Sequence, residues 1–254
     1  MPNAADLYYH AYQQGDEGDR TAVVLLHGAG GTHMHWPSEV RRLPGQRIYA
    51  PDLPGHGKSE GRGEQSIGAY AQAIVNWLDA LQIHHAICVG HSMGGAIALT
   101  LGLKHPDRIA ALGLFSTGPR LPVAPKLLES SGQVTTFYTA LDLIRQRAYA
   151  PDTPDRLVEL ATRQMALIRP SVLHGDFLAC NNFDLSDRLG DIQQPSLVVC
   201  GGQDRMTPLR MSQVLANCLP SARLETIPEA GHMIIIERPQ QIASILGNFL
   251  AGIR

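Results

Sequence analysis

Short apolar runs alternate with stretches of helical spacing along most of the chain. Thr21-Ala22-Val23-Val24-Leu25-Leu26 is one such run, and it stops at His27-Gly28-Ala29-Gly30-Gly31. Gln46 to Ala50, Ala86 to Val89, Ile109 to Phe115 and Ser196 to Cys200 are others, and Ala222 to Ile227 is a more polar one. Strands that are apolar throughout mark a parallel sheet covered on both faces. Between them, Ile67, Tyr70, Ala71, Ile74, Trp77, Leu78 and Leu81 recur at helical spacing and predict a helix over 67–81. Met93 to Lys104 reads as a small-residue helix stopped by His105-Pro106. Leu209 to Cys218 and Pro239 to Ile253 read as helices too, and Leu7 to Tyr12 as an edge strand. From Pro119 to Leu189 the rhythm breaks. No strand appears there, only helical stretches at Lys126–Ser131, Thr135–Tyr149, Thr153–Ile168 and Pro170–Asn181. The pattern predicts an α/β core over 1–118 and 190–254, its mostly parallel central sheet flanked by helices, with a helical cap inserted over 119–189.

Composition narrows the function classes. The 254 residues are 44% hydrophobic, enough to bury a core, which excludes wholesale disorder. With 21 Lys+Arg against 23 Asp+Glu the chain has no basic footprint for nucleic acid and no electrostatic case for an anionic membrane. No apolar run is long enough to span a bilayer, and the first twenty residues carry neither the basic head nor the apolar stretch of a secretory leader. Cys88, Cys180, Cys200 and Cys218 form no C-x-x-C pair, so neither zinc nor a disulfide is expected. The expectation is a cytoplasmic protein without cofactor or metal, monomeric or homodimeric, whose partner is a small molecule.

The chemistry is concentrated where a strand meets a helix. Residues 86–103 read AICVGHSMGGAIALTLGL, which places Gly90-His91-Ser92-Met93-Gly94 in the strand–turn–helix context that G-x-S-x-G requires. The glycines leave room for a strained turn that pushes the Ser92 hydroxyl out of the chain path. The helix that follows offers free N–H groups and partial positive charge, with the Met93 amide the natural donor to an oxyanion. A serine hydroxyl needs a base, and the base needs an orienting group. Among 11 histidines, His232 stands out because it follows the last strand, at the sheet's carboxyl edge. Asp204 follows the strand 196–200 to the same edge, whereas Asp184, Asp187 and Asp191 precede it. Three separate loops meeting in the order Ser…Asp…His are far more specific than any one of them.

These residues resemble the α/β-hydrolase superfamily over almost the whole chain. His27-Gly28-Ala29-Gly30 is similar to its oxyanion loop, which implies the Ala29 N–H as the second donor. Asp52-Leu53-Pro54-Gly55-His56-Gly57-Lys58-Ser59 resembles the family's D-x-x-G-x-G-x-S loop, Gly201 to Pro208 its acid loop, and Gly231-His232 its histidine loop. The resemblance implies eight strands, of which seven are legible here. It places a helical cap over the site and implies acyl transfer through an acyl-enzyme, with Ser92 as nucleophile, His232 as base and Asp204 orienting it.

Substrate contacts are expected from Gly28, Trp36, Phe137, Tyr138, Met206 and Met233. Tyr149, Met165, Ile168 and Phe177 are expected mostly in the core of the cap, and His91 to pack rather than react. His33 and His35 flank the oxyanion loop without a carboxylate cluster that completes a metal site. With Arg120 and Arg145 read as solvated and no basic cluster evident, a neutral, small to medium acyl ester is the expected substrate. That makes a serine carboxylesterase the first reading. C–C bond hydrolysis, lactone opening, a menaquinone-pathway lyase and a non-catalytic ligand-binding relative are the alternatives. Relatives that open epoxides or remove halide need an aspartate where Ser92 stands.

Overall fold

A computed structural model describes residues 3–13 and 20–253. Among them eight strands form one sheet: β1 Asn3–Ala4, β2 Leu7–Gln13, β3 Ala22–Leu26, β4 Arg47–Pro51, β5 Ala86–His91, β6 Ile109–Phe115, β7 Ser196–Gly201 and β8 Ala222–Ile227. The helices are α1 Ser38–Arg41, α2 Ile67–Ala80, α3 Met93–Lys104, α4 Pro125–Ser131, α5 Phe137–Ala148, α6 Asp155–Met165, α7 Pro170–Asn181, α8 Leu209–Cys218, α9 Ile234–Glu237 and α10 Pro239–Leu250. The spatial order is β1-β2-β4-β3-β5-β6-β7-β8. Strands β4, β3, β5, β6, β7 and β8 run parallel, and β2 is antiparallel to β4. The strand hidden from sequence is β1, two residues long and too short for any periodicity. It pairs with β2, so β2 lies second from the edge rather than at it.

Alternation along each strand divides the core into two layers. Val24, Leu26, Cys88, Leu112 and Val198 point to one face, where α2, α3 and α8 cover them. Val23, Leu25, Val89, Phe115 and Val199 point to the other, against α1, α9 and α10. Burial on both faces is the physical reason these strands carry almost no polar residue. Helices α4 to α7 lie between β6 and β7 in the chain and form a third apolar cluster, built on Leu127, Phe137, Leu141, Ile144, Leu173 and Phe177. No described helix is long and apolar enough to cross a membrane.

The β5–α3 junction is the tightest point. A Cβ on Gly94 would stand 2.2 Å from the Leu26 carbonyl oxygen, and one on Gly90 2.1 Å from that of Gly94. Only hydrogen side chains let α3 begin directly beneath β3. Gly68, half-buried in the first turn of α2, has no such constraint, the nearest atom to a Cβ there being the Lys104 ammonium at 3.6 Å. Gly94→Ala is expected to cost about 3 kcal/mol or more by forcing backbone apart. Calorimetry should then read a fall in Tm of about 6–12 °C. Gly68→Ala should stay within about 1 kcal/mol of the parent, on the stabilising side. Equal Tm values for the two variants would contradict this packing.

Candidate active site

Ser92 is the hinge between β5 and α3. Its backbone sits at φ 53°, ψ −115°, a left-handed conformation that costs a non-glycine residue of order 1–3 kcal/mol. The turn is held from both sides. The Ser92 N–H donates to the Phe115 carbonyl at 2.9 Å, and the Ser92 carbonyl accepts from Gly95 N–H and the Thr117 hydroxyl, each at 2.9 Å. With its backbone fixed, the side chain projects above the carboxyl edge of the sheet.

The loops after β7 and β8 bring Asp204 and His232 to the same edge. His232 Nε2 lies 3.0 Å from Ser92 Oγ, and His232 Nδ1 lies 2.9 Å from Asp204 Oδ2. A carboxylate only accepts, so the Nδ1–H belongs on the Asp204 side and the Nε2 lone pair faces the serine. The other Asp204 oxygen accepts the N–H groups of Met206 and Thr207, both at 2.8 Å, and the Thr207 hydroxyl donates to Oδ2 at 2.7 Å. Burial would raise the Asp204 carboxyl. The neighbouring His232, whose ring N–H it accepts, and the Thr207 donors outweigh that and hold it below the usual carboxylate range. The arrangement can take a proton from the serine hydroxyl and stabilise the resulting imidazolium.

His91 packs, as expected, and it also has a polar partner. Its Nε2–H donates to the His232 carbonyl at 2.8 Å, and burial with the neighbouring His232 pushes its pKa down to about 3. The histidine loop is further tied by Glu237 of α9. That carboxylate accepts from Gly231 N–H at 3.1 Å, and from Ala150 N–H and the Thr153 hydroxyl between α5 and α6.

Two backbone amides belong to segments beside the serine: Met93 follows it in the chain, and Gly28, next to Ala29, comes so close that a Cβ there would stand 3.2 Å from Ser92 Cβ. Met93 opens α3, so its N–H has no intrahelical acceptor, while its side chain is buried in the core. Ala29 lines the cavity. The Gly28 carbonyl is gripped by the Gly31 N–H at 3.0 Å and by His27 Nδ1 at 2.8 Å. In a trans peptide the N–H points opposite the carbonyl, so gripping the Gly28 oxygen aims the Ala29 N–H the other way. His27 Nε2 accepts from Leu53 N–H at 3.0 Å, which puts the ring proton on Nδ1. Burial and the neighbouring His56 hold the His27 pKa well below its ordinary value, so the ring is neutral as this geometry requires.

A cavity of about 200 Å³ opens over these groups. Gly28, Ala29, Met206 and Met233 line it as expected, joined by Leu127, Ile144, Met165 and Phe177. Three expected contacts lie elsewhere. Trp36 is fully buried on the opposite face of the sheet, edge-on to Phe115 at 5.9 Å, because the turn over His33–His35 swings the chain under β3. Phe137 packs inside the cap core, and Tyr138, the next residue round α5, is 71% exposed. His33 and His35 spend Nδ1 on Asp52 and on the Thr32 N–H, respectively. Among the described residues no group of three or more His, Cys, Asp or Glu side chains stands together as a metal site.

Exposed cations also border the cavity, and one of them, Arg205, donates to the Gln146 and Tyr149 carbonyls. Lys126, Arg147 and Arg205 line it, with no Asp or Glu among the lining residues. Arg145 instead borders a neighbouring groove, and exposed Arg120 bridges to Asp184 through the backbone. The missed signal was helical phase, since Arg147 follows Leu143 and Ile144 at four and three residues on the cavity face of α5.

Residues 21–239 match the alpha/beta hydrolase fold family. A 2-hydroxymuconate semialdehyde hydrolase of Pseudomonas putida is 31% identical, over 93% of this chain and 89% of that protein. A pimeloyl-[acyl-carrier protein] methyl ester esterase of Aromatoleum aromaticum is 28% identical, over 92% of this chain and 100% of its own. The crystal structure of an enol-lactonase from Burkholderia xenovorans LB400 superposes with a TM-score of 0.89 at 23% identity, covering 96% of each chain, a likeness of fold. The match over most of the chain and the sheet that carries Ser92, Asp204 and His232 agree: the chain belongs to the α/β-hydrolase fold family.

Proposed function

We propose that this protein is a serine hydrolase that cleaves carboxylic esters of small to medium acyl chain. The observation that carries the reading is the hydrogen-bonded series Ser92 Oγ–His232 Nε2–Asp204 at the base of a mostly apolar cavity. His232 takes the hydroxyl proton as Ser92 Oγ adds to the ester carbonyl. The new oxyanion is received by the N–H groups of Ala29 and Met93, an interaction worth roughly 3–4 kcal/mol per donor where such donors have been removed. Collapse expels the alcohol, which leaves with the proton held by His232. Water then repeats the sequence on the acyl-enzyme, releasing the acid and restoring Ser92.

A second reading is favoured by Lys126, Arg147 and Arg205. Exposed cations at the border of the cavity, with no acid among the lining residues, suit an acyl group whose far end is anionic. The same machinery then fits hydrolysis of a C–C bond in a keto acid, where the leaving carbon accepts the proton that an alkoxide accepts in an ester. The semialdehyde hydrolase relative supports keeping this reading beside the first.

Ser92→Ala is expected to fold, by circular dichroism, and to lose p-nitrophenyl butyrate turnover by about three to six orders of magnitude in kcat. Full activity in that variant contradicts the assignment of the nucleophile. Asp204→Asn leaves the ring without its orienting charge and should lower kcat about 10⁴-fold.

Asp204 also has a signature in stability. Its folded pKa lies below the ordinary 3.8, so its contribution is complete above that value and is lost as pH falls through the folded pKa. The Tm–pH curve of Asp204→Asn should therefore flatten relative to the parent below about pH 4. Parallel curves would contradict the ionised, paired state of Asp204.

The role of these cations is tested by comparing ethyl butyrate with the monoethyl ester of glutaric acid. Arg147→Glu is expected to lower kcat/KM for the acidic ester about fivefold, the scale of an exposed ion pair, and to spare the neutral one. Equal effects on both esters reject the anionic reading.

A further inference from the structure

Behind the oxyanion loop lies a second buried group of ionisable side chains. Its centre is Asp176 of α7, in the helical insertion, with its side chain wholly buried. One carboxylate oxygen accepts the Gly30 N–H and His56 Nε2, each at 2.8 Å. The other accepts the Tyr70 hydroxyl from α2 at 2.5 Å. On its far side, His56 Nδ1 faces the Pro54 carbonyl at 3.0 Å. Both ring nitrogens thus face acceptors, and an imidazole satisfies two acceptors only with both nitrogens protonated. Burial works against that charge. Asp176, the Pro54 carbonyl and Asp52 outweigh it and hold the His56 pKa above its ordinary value. The pair is a buried imidazolium–carboxylate, and Gly30 and Tyr70 supply the carboxylate with two further donors. That satisfaction is what makes a buried charge tolerable.

The contact with Gly30 is the informative one. The loop Gly28-Ala29-Gly30-Gly31 is three parts glycine, and Gly30 adopts φ +66°. Such a segment has little intrinsic order, so its orientation comes from what grips it. Ala29 stands between two fixed peptide groups. On one side the Gly28 carbonyl is held from within the loop. On the other the Gly30 N–H is held by Asp176, 146 residues away along the chain. An ionised acceptor makes this second grip stronger than a neutral one would.

We propose that Asp176, paired with His56, is a positioning residue that aims the Ala29 N–H at the oxyanion. Formation of the oxyanion site is thereby tied to the seating of α7. This rests on the serine-hydrolase reading above.

The test is Asp176→Asn, nearly isosteric but uncharged, with a donor where the cluster needs an acceptor. The readouts are kcat and KM for p-nitrophenyl butyrate, and inhibition by an alkyl trifluoromethyl ketone. That ketone adds to a serine hydroxyl and places an oxyanion where the ester would. Expected are parallel falls of about 10- to 100-fold in kcat and in ketone affinity, with KM shifted less than about threefold. A purely structural role lowers Tm and leaves kcat and ketone affinity within about twofold, well below the 10- to 100-fold scale of a misplaced catalytic group. That result, or a loss confined to KM, overturns the proposal.

Should Asp176→Asn fail to fold, Tyr70→Phe keeps both charges and removes one donor. It loosens one of the carboxylate's three anchors while leaving the Gly30 contact, so kcat and ketone affinity are expected to fall together by about three- to tenfold, and an unchanged kcat overturns the proposal equally. A parent protein that neither turns over the ester nor binds the ketone overturns the serine-hydrolase reading itself. An active parent with an unaffected Asp176→Asn overturns the positioning role alone.

Discussion

The backbone strain at Ser92 is the constraint on which the rest of the structure depends. A positive φ at a residue with a side chain is unfavourable, and it persists only where the surroundings leave no alternative. Here the alternatives are closed by hydrogen bonds to β6 and the residues just after it, and by the passage of α3 beneath β3. Gly94 has no side chain because the Leu26 carbonyl occupies that space. The same turn that exposes the hydroxyl also ends a strand and begins a helix, so it delivers a free amide beside the hydroxyl. In the proposed reaction, nucleophile and first oxyanion donor are thus two consequences of one backbone geometry.

The rest of the site hangs on loops, and the loops are pinned by buried carboxylates. Asp204 holds the histidine ring, Glu237 holds the backbone next to it, and Asp176 holds the glycine loop opposite. Asp52 gathers the N–H groups of His33 and Lys58 and organises the turn between β4 and α2. A carboxylate accepts several N–H donors at once, which suits it to fixing irregular backbone that no sheet or helix satisfies. Two of the four, Asp176 and Glu237, also join the helical insertion to the core. The insertion therefore covers the cavity and is bonded to the loops that form its base.

Much of this was legible in the residues. The sheet was readable because its central strands β3, β5, β6 and β7 are buried on both faces and so are almost wholly apolar. The site was readable because Ser92, Asp204 and His232 each follow a strand at the same edge. Features set by distant packing were not. Trp36 lies five residues beyond the glycine loop Gly28–Gly31, yet a single turn carries it to the other face of the sheet. Phe137 and Tyr138 look like pocket aromatics, but the cavity meets α5 at its other end, through Leu143, Ile144 and Arg147. Asp176 is a lone acid in the apolar stretch Val172 to Cys180, and its partners lie 106 to 146 residues away. No local pattern points to them.

The central claim is that one hydroxyl of this chain is an activated nucleophile. Its most direct measurement is reaction with a fluorophosphonate followed by peptide mass spectrometry. The account predicts one phosphonyl group per chain, on Ser92. A chain that takes up no label, or carries it on another residue while Ser92 stays free, would contradict it.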